Sequence, residues 1–202
     1  MPLISALTSS WMNDDPKNIL RKQILPARKI LSRTVWEERN KLLYHKVFSF
    51  LEKNPVNIVH VFLPIERNKE VNTWPIIKSL MDQNKKIVVS STDLKNETMN
   101  HFYYNSQLKF KLNRLKIPEP VNAVKADIKS IDMILMPLLA ADKVGNRIGY
   151  GKGYYDRLLK DLPEMNKVGL SLGPLFDAFN FAESHDIRLD YCITPFEIHP
   201  CQ

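Results

Sequence analysis

The chain has 202 residues, of which 44% are hydrophobic and 25% are charged, a composition typical of soluble globular proteins. This length is sufficient for one sizeable core and short for two domains, and no apolar run approaches the ~20 residues that a membrane helix requires. The first ten residues lack the basic segment of a secretory signal, and the two cysteines, Cys192 and Cys201, are too few for a disulfide framework. We therefore expect a cytoplasmic protein with a loosely held tail over residues 1–13 and a single domain over residues 14–202.

The formal net charge of +7 is compatible with nucleic acid, a membrane surface or an anionic small molecule as the partner. The basic residues are spread along the chain, without zinc-finger spacing or an RNP-like aromatic motif. The five histidines form no pair at the helical spacing of metal ligands, which argues against zinc. Composition alone leaves two interpretations open: a basic protein with no special anionic partner, and one whose charge serves an anionic substrate.

The first predicted element is a helix that begins at Pro16 behind an acidic cap, Asp14 or Asp15, and that Pro26 should kink or end. A capping box over residues 34–37 then opens an amphipathic helix that ends near residues 54–55. The apolar face of this second helix consists of Leu42, Leu43, Val47, Phe50 and Leu51. Two helices are therefore expected before the first strand.

Strands and helices alternate in the rest of the chain. The pattern predicts buried strands over residues 56–63, 86–91, 131–136 and 167–172, and a short last strand over 191–194. Helices are predicted over residues 73–83 and 154–162, with a short one near 175–181. Residues 102–104 and 108–112 resemble edge strands, and 117–120 reads as irregular. The alternation indicates an α/β protein with a Rossmann-like, three-layer α/β/α fold, in which ligands bind at the carboxyl ends of a mostly parallel sheet.

The most informative stretch is the segment 142–159, in which Gly149, Gly151 and Gly153 alternate with Tyr150 and Lys152. Glycines at this spacing allow the backbone to approach a ligand and to adopt dihedral angles that other residues avoid. The segment links a predicted strand to a helix N-terminus, where free N–H groups and the helix dipole favour an anion, so we expect bound phosphate. The spacing fits neither a Walker A loop nor the dinucleotide fingerprint. A tight turn without a ligand is the alternative.

This segment resembles the signature of the 5-formyltetrahydrofolate cyclo-ligase (5,10-methenyltetrahydrofolate synthetase) family. The signature runs from Met136-Pro137 through Asp142 to Gly145-Asn-Arg147-Ile-Gly149-Tyr-Gly151-Lys-Gly153-Tyr154-Tyr155-Asp156. Three further elements follow the order of the family, namely Lys17 with Arg21, Glu70-Val-Asn-Thr73, and His185-Asp186. The resemblance covers most of the chain and implies one α/β/α domain. It also implies ATP-dependent conversion of 5-formyltetrahydrofolate to 5,10-methenyltetrahydrofolate, with ATP and Mg²⁺ as cofactors and ADP and phosphate as products.

The resemblance also implies the site residues. Phosphoryl transfer requires positioning and charge neutralisation rather than a covalent nucleophile, so Arg147 and Lys152 are the catalytic candidates. The implied ATP contacts are Lys17, Arg21, Arg147, Gly149, Gly151, Lys152, Gly153, Tyr154 and Tyr155. The implied folate contacts are Arg21, Leu63, Glu70, Tyr150, Gly151, Lys152, Gly153 and Tyr154. The implied magnesium ligands are Asp156 and Asp186, since this ion prefers oxygen ligands.

Several assignments have rivals in the sequence itself. Asp190 competes with Asp186 for the metal, and Asp156 could instead form an ion pair with a lysine four residues away, Lys152 or Lys160. Two residues are inserted before Glu70 relative to the family pattern, so Glu66 competes with it for the pterin. Tyr150 stands where some relatives carry Arg, which leaves one charge fewer for the folate tail. Without the family context, Lys17 and Arg21 read as a solvated helix face.

Two other functions compete with the cyclo-ligase. A non-catalytic α/β module could use the glycine loop to bind RNA or a phosphorylated ligand, with an affinity that falls steeply with salt. An enzyme of the sugar-phosphate isomerase or acyl-CoA transferase kind would need a general base or a glutamate nucleophile beside the loop, and the sequence identifies neither. We expect a monomer that acts on the folate, with neither nucleic acid nor membrane as partner.

Overall fold

The computed structural model describes residues 15–114, 117–183 and 186–201, so the predicted tail, Asp14 and His185 lie outside the described residues. Within these ranges the α-helices are α1 (Pro16–Lys29), α2 (Arg33–Lys53), α3 (Trp74–Asp82) and α4 (Tyr154–Lys160). Short 3₁₀ turns cover Glu66–Asn68 and Ile128–Ser130. The strands are β1 (Ile58–Val61), β2 (Lys86–Asp93), β3 (Thr98–Tyr103), β4 (Lys109–Leu112), β5 (Pro118–Val121), β6 (Met133–Pro137), β7 (Ala140–Ala141), β8 (Arg147–Ile148), β9 (Asn166–Leu170), β10 (Tyr191–Ile193) and β11 (Ile198–Pro200).

Seven strands form the central sheet in the order β11-β10-β9-β6-β1-β2-β3. The pairs from β10 to β2 are parallel, whereas β3 and β11 add antiparallel edges. Two small antiparallel ribbons, β4-β5 and β7-β8, lie outside this sheet. The predicted α/β fold with a mostly parallel sheet is therefore confirmed.

Successive residues of a strand point to opposite faces of the sheet, and each face carries its own apolar core. On one face, buried residues of α2 and α3 pack against the strands in a cluster that includes Leu43, Val47, Phe50, Val59, Val61, Ile76, Ile77, Leu80, Leu135 and Leu170. On the other face, α4 packs in a cluster that includes Val88, Ile134, Met136, Leu159 and Cys192. Helix α1 packs on the β7-β8 ribbon instead, through Leu20, Ile24 and Leu25. That contact brings the N-terminal helix to the segment with the alternating glycines.

Three predictions in the helices need correction. Pro26 does not end α1, which continues to Lys29. The cap of α2 is Ser32, whose hydroxyl accepts from the Val35 N–H, so the box predicted over residues 34–37 begins two residues too late. Leu42 is exposed, because α2 turns only part of its predicted apolar face to the sheet.

Two predictions in the loops are also wrong. Residues 175–181 form no helix, because the Phe176 N–H bonds to Ala141 O and the Phe179 N–H to Asp142 Oδ2 rather than along a helical turn. Residues 117–120, predicted as irregular, contribute to strand β5, which pairs with β4. No helix in the described part of the chain combines the length and the apolar character that crossing a bilayer demands.

Candidate active site

A cavity of about 570 Å³ opens at the carboxyl ends of β1 and β6. All fourteen predicted site residues line it, although they come from α1, the segment after β1, the glycine segment and the C-terminal part of the chain: Lys17, Arg21, Leu63, Glu70, Arg147, Gly149, Tyr150, Gly151, Lys152, Gly153, Tyr154, Tyr155, Asp156 and Asp186. Helix α1 and the C-terminal segment are distant from the glycine segment in sequence, and the fold brings them to this edge of the sheet. The individual roles of these residues stay predictions.

The glycine loop, residues 149–153, connects β8 to α4 across the mouth of the cavity. Gly151 and Gly153 have φ angles of +80° and +66°, a region that side chains with a Cβ disfavour. Nε of Arg21 donates to Gly149 O over 3.0 Å, and a Cβ at Gly151 would lie 3.2 Å from Cζ of Arg21. Glycine at 151 therefore makes room for a guanidinium that α1 lays over the loop.

Asp142 holds the turn that leads into this loop. Its carboxylate is fully buried and accepts from the backbone N–H groups of Val144, Asn146 and Phe179 over 3.1, 2.8 and 2.8 Å. It also accepts from Nδ2 of Asn146 over 2.8 Å. These bonds satisfy a charge that would otherwise be costly to bury, so Asp142 acts here as a structural anchor of the loop.

Arg147 and Asp156 form an ion pair between β8 and the first turn of α4. The Arg147 guanidinium is nearly buried and also donates to Ile187 O, while Asp156 is half exposed. Burial lowers the pKa of Arg147, and the nearby carboxylates of Asp156 and Asp186 oppose that shift. Among the described residues, the ion-pair partner of Asp156 is thus Arg147 and neither of the two lysines considered from the sequence.

Lys17 is bound by two carboxylates from the C-terminal segment. Its Nζ lies 2.7 Å from Oδ2 of Asp186 and 2.8 Å from Oε2 of Glu183. Partial burial would lower the pKa of Lys17, but the hydrogen bonds to Asp186 and Glu183 outweigh it, and the pKa is raised. The sequence rival of Asp186 lies elsewhere: Oδ2 of Asp190 accepts from the Lys167 N–H over 2.6 Å and is not part of the cavity wall.

Glu70 is buried in the wall and belongs to a polar chain that the sequence did not predict. Its Oε2 accepts from the Ile65 N–H over 2.6 Å, and its Oε1 accepts from the hydroxyl of Tyr150. That hydroxyl accepts in turn from the buried Arg28. Burial raises the pKa of Glu70, although the bonds from Tyr150 and Ile65 oppose the shift. Its rival Glu66 is exposed on the adjacent 3₁₀ turn, outside the cavity wall.

Sequence reasoning missed the polar wall residues that lie on or near the sheet, His60, Arg67, Asn68, Ser90 and Thr92. The sequence did contain a signal for two of these wall residues. His60 and Ser90 are polar residues within the apolar runs of β1 and β2, and buried polar side chains need partners.

The oxygen donors of the cavity fit magnesium that arrives with phosphate. Asp156 and Asp186 line the same cavity as the glycine loop. Mg²⁺ is commonly held by one or two carboxylates together with substrate phosphates and waters. Among the described residues, no group of three or more His, Cys, Asp or Glu side chains could hold an ion unaided. The donor set is therefore suited to a metal–phosphate complex rather than to a closed metal cage.

Comparisons with known proteins identify the same family as the sequence motifs. A model described as the 5-formyltetrahydrofolate cyclo-ligase family matches residues 13–195. The 5-formyltetrahydrofolate cyclo-ligase of Escherichia coli (strain K12) is 32% identical over 113 residues, 53% of this chain and 61% of that protein. The match thus spans less than two thirds of that relative. The Mycoplasma pneumoniae protein of the same name is 27% identical over 183 residues, 88% of this chain and 97% of that protein.

A solved structure is also similar to this chain. The 5,10-methenyltetrahydrofolate synthetase of Aquifex aeolicus has a TM-score of 0.72 at 27% identity, with 92% of this chain and 93% of that chain covered. The family match begins before α1 and extends beyond β10, so it includes every element that contributes to the cavity. The chain therefore belongs to the 5-formyltetrahydrofolate cyclo-ligase family.

Proposed function

We propose that this protein converts 5-formyltetrahydrofolate to 5,10-methenyltetrahydrofolate, with ATP consumed and ADP and phosphate released. The observation that carries the proposal is the cavity itself. It combines five cationic side chains and a glycine loop with an apolar wall that includes Phe62, Leu63, Ile65, Met99 and Leu138. A polyphosphate matches the first part and a folate ring system matches the second.

The cationic side supports ATP as the phosphate donor. Lys17, Arg21, Arg147 and Lys152 converge from α1, β8 and the loop. Arginine offers a planar fork and lysine a mobile point charge, so the set can follow phosphate oxygens as their charge shifts. When bound, ATP supplies the phosphoryl group that makes the formyl oxygen a leaving group, and Mg²⁺ held by Asp156 and Asp186 would neutralise phosphate charge.

The other side of the cavity supports the folate. Glu70 is held by the Ile65 N–H and the Tyr150 hydroxyl, and a fixed carboxylate suits the paired amino and ring N–H donors of a pterin. Leu63 and the Tyr150 ring add apolar area beside it. The role of this wall is to hold the formyl group and the second folate nitrogen beside the cations.

The reaction requires little covalent chemistry from the side chains of the protein. The formyl carbon loses its bond to oxygen and gains a bond to the second nitrogen, and the oxygen leaves as part of the phosphate. Arg147 and Lys152 stabilise the charge that moves onto the phosphate oxygens, an electrostatic effect that strengthens where water is excluded. Arg21 bridges the two ligands, since it lies over the loop at Gly149 and Gly151.

The test is a near-ultraviolet absorbance assay of the purified protein with 5-formyltetrahydrofolate, ATP and magnesium. The methenyl product absorbs where the substrate does not, so its formation is followed directly. Controls omit ATP or add EDTA. We expect a rise that requires all three components.

A folded protein that gives no rise would overturn the proposal. It would then behave as the alternative module, which binds phosphate or RNA with a steep salt dependence and no turnover. We also expect the protein to act as a monomer in the cytoplasm, without nucleic acid or membrane partners. Sedimentation of the purified protein at assay concentration tests the first of these expectations.

A further inference from the structure

Two histidines and a serine form a hydrogen-bonded row across three adjacent strands beside the cavity. His60 lies on β1, Ser90 on β2 and His101 on β3. Nε2 of His60 is 2.6 Å from Oγ of Ser90, which is 2.9 Å from Nδ1 of His101. His60 and Ser90 line the cavity. None of the three has a part in the chemistry above.

The row leaves one atom unsatisfied. Within the described residues, Nδ1 of His60 is the buried side-chain nitrogen or oxygen without a hydrogen-bond partner. Buried polar atoms of this kind are rare in native structures. Since His60 forms part of the cavity wall, an occupant of the cavity is the natural partner for this nitrogen.

The row is uncharged near neutral pH. Burial and, secondarily, the His101 ring lower the pKa of His60 to about 3, and burial lowers that of His101 to about 4. A neutral imidazole has one N–H and one lone pair, and a hydroxyl donates once. If Ser90 donates to His101, it accepts from His60 and leaves Nδ1 as an acceptor. If Ser90 instead donates to His60, it accepts from His101 and leaves Nδ1 of His60 as a donor.

An uncharged nitrogen is better suited to the folate than to the phosphates of ATP. The phosphates of ATP are met by cations, whereas the folate carries uncharged carbonyl and N–H groups in its ring system and amide. The ring of His60 lies edge-on to Tyr155 at the base of the glycine loop, with 6.4 Å between the ring centroids. Tyr155 is the first-turn residue next to Asp156, and all three residues line the same cavity, so His60 lies near the proposed metal ligand.

We propose that Nδ1 of His60 hydrogen-bonds an uncharged group of the bound folate, and that Ser90 and His101 fix the tautomer that it presents. This inference rests on the proposed function. It makes His60 a substrate-binding residue, and Ser90 and His101 positioning residues.

Three substitutions of His60 separate its two nitrogens. Asn places a polar atom near the position of Nδ1, Gln places one near Nε2, and Leu removes both. The dissociation constants for 5-formyltetrahydrofolate and, separately, for ATP with magnesium are measured by calorimetry. His45→Gln is the matched control, because His45 is exposed on α2 outside the cavity wall.

We expect His60→Leu and His60→Gln to weaken folate binding by about fivefold, the equivalent of one neutral hydrogen bond. His60→Asn should lose less, and none of the three should change the dissociation constant for ATP more than about twofold. Equal folate affinity in all three variants and the wild type would overturn the inference. A wild type that neither binds nor turns over the folate would overturn the proposed function instead.

A measurement on the wild type covers the case in which the variants do not fold. In protein with ¹⁵N-labelled histidine, the Nδ1 resonance of His60 reports its hydrogen bonding directly. Saturation with 5-formyltetrahydrofolate should shift this resonance, and saturation with ATP and magnesium should not. An unchanged resonance at folate saturation would contradict the inference.

Discussion

The hydroxyl of Tyr150 donates to Oε1 of Glu70 while it accepts from Nη2 of Arg28. A neutral group thus lies between a buried carboxylate and a buried guanidinium, and it joins α1 to the segment after β1. Tyr150, which stands where the family resemblance leads us to expect an arginine in some relatives, thus accepts a hydrogen bond from an arginine of α1.

Tyr150→Phe should remove this link. Oε1 of Glu70 and Nη2 of Arg28 would each lose a partner in a buried environment, which should lower the free energy of unfolding by about 1–3 kcal/mol. The KM for the folate should rise, because the orientation of Glu70 is no longer fixed. Urea unfolding and steady-state kinetics measure the two effects. Tyr103→Phe, outside the cavity wall, is the control and should change neither.

Lys152→Ala should reduce kcat by at least ~100-fold, as expected when a group that stabilises transition-state charge is lost. The fold should be unaffected, because Lys152 is exposed on the loop. Lys160→Ala, exposed at the end of α4 and outside the cavity wall, is the matched control. Near-normal turnover of the Lys152 variant, with an unchanged melting temperature, would show that the assignment is wrong.

Asp156→Asn should likewise abolish turnover and leave the fold intact. Its ion pair with Arg147 is half exposed on the aspartate side, and such pairs contribute at most about 1 kcal/mol to stability. Turnover measured across a magnesium series, with circular dichroism as the check on folding, tests both statements. Activity close to that of the wild type would remove Asp156 from the proposed metal ligands.

Asp186 and Asp190 can be told apart by their dependence on magnesium. Asp186→Asn should raise the magnesium concentration that gives half-maximal activity by roughly tenfold or more. Metal affinity falls by at least this factor when residues that support a metal site are mutated. Asp190→Asn should leave that concentration unchanged and lower the free energy of unfolding by at most about 1 kcal/mol, because the amide oxygen still accepts from the Lys167 N–H and only the ion pair with the Lys167 ammonium is lost. The opposite pattern would exchange the two roles.

The free energy of unfolding should fall as the pH is lowered from 6.5 towards 4. His60 and His101 titrate near 6.5 when unfolded but near 3 and 4 when folded, so the unfolded chain binds more protons in this range. Each histidine then lowers the free energy of unfolding by up to about 1.4 kcal/mol per pH unit. The stabilisation is fully present above pH 6.5.

Urea unfolding at pH 7, 6 and 5 measures this slope. His101→Gln should make the slope shallower, while His45→Gln, at an exposed position, should leave it as in the wild type. Identical slopes in all three proteins would contradict the burial of a neutral His101.

The glycine segment of the site was predicted from its own contiguous motif, whereas Lys17, Arg21 and the other site residues outside it were expected from the family resemblance. Residues 145–156 form one segment, and the order of strand, loop and helix follows from its own pattern. The alternation of predicted strands with predicted helices likewise indicated a mostly parallel sheet and hence the edge where the cavity opens. Such local signals need no knowledge of strand order.

The parts that the sequence did not predict depend on register between distant elements. Ser90 meets His60 only because β2 pairs with β1, 30 residues away, and Arg28 reaches Tyr150 across 122 residues. The incorrect prediction of a helix over residues 175–181 has the same cause. Its apolar residues suggested a helix, but the buried Asp142 captures the Phe179 N–H, a contact that no local pattern shows.

The binding of Lys17 by Glu183 and Asp186 has a consequence for how a nucleotide enters. In this structure the Lys17 cation is already paired with carboxylates, so under the proposed function a polyphosphate would take the place of existing anionic partners instead of meeting an unpaired positive charge. Nucleotide binding would then be an exchange of ion pairs, which would release the C-terminal carboxylates for the magnesium ion that we propose accompanies the phosphates. The salt dependence of binding should accordingly be weaker than the number of cations in the cavity would suggest, because screening weakens the broken pairs as well as the new ones.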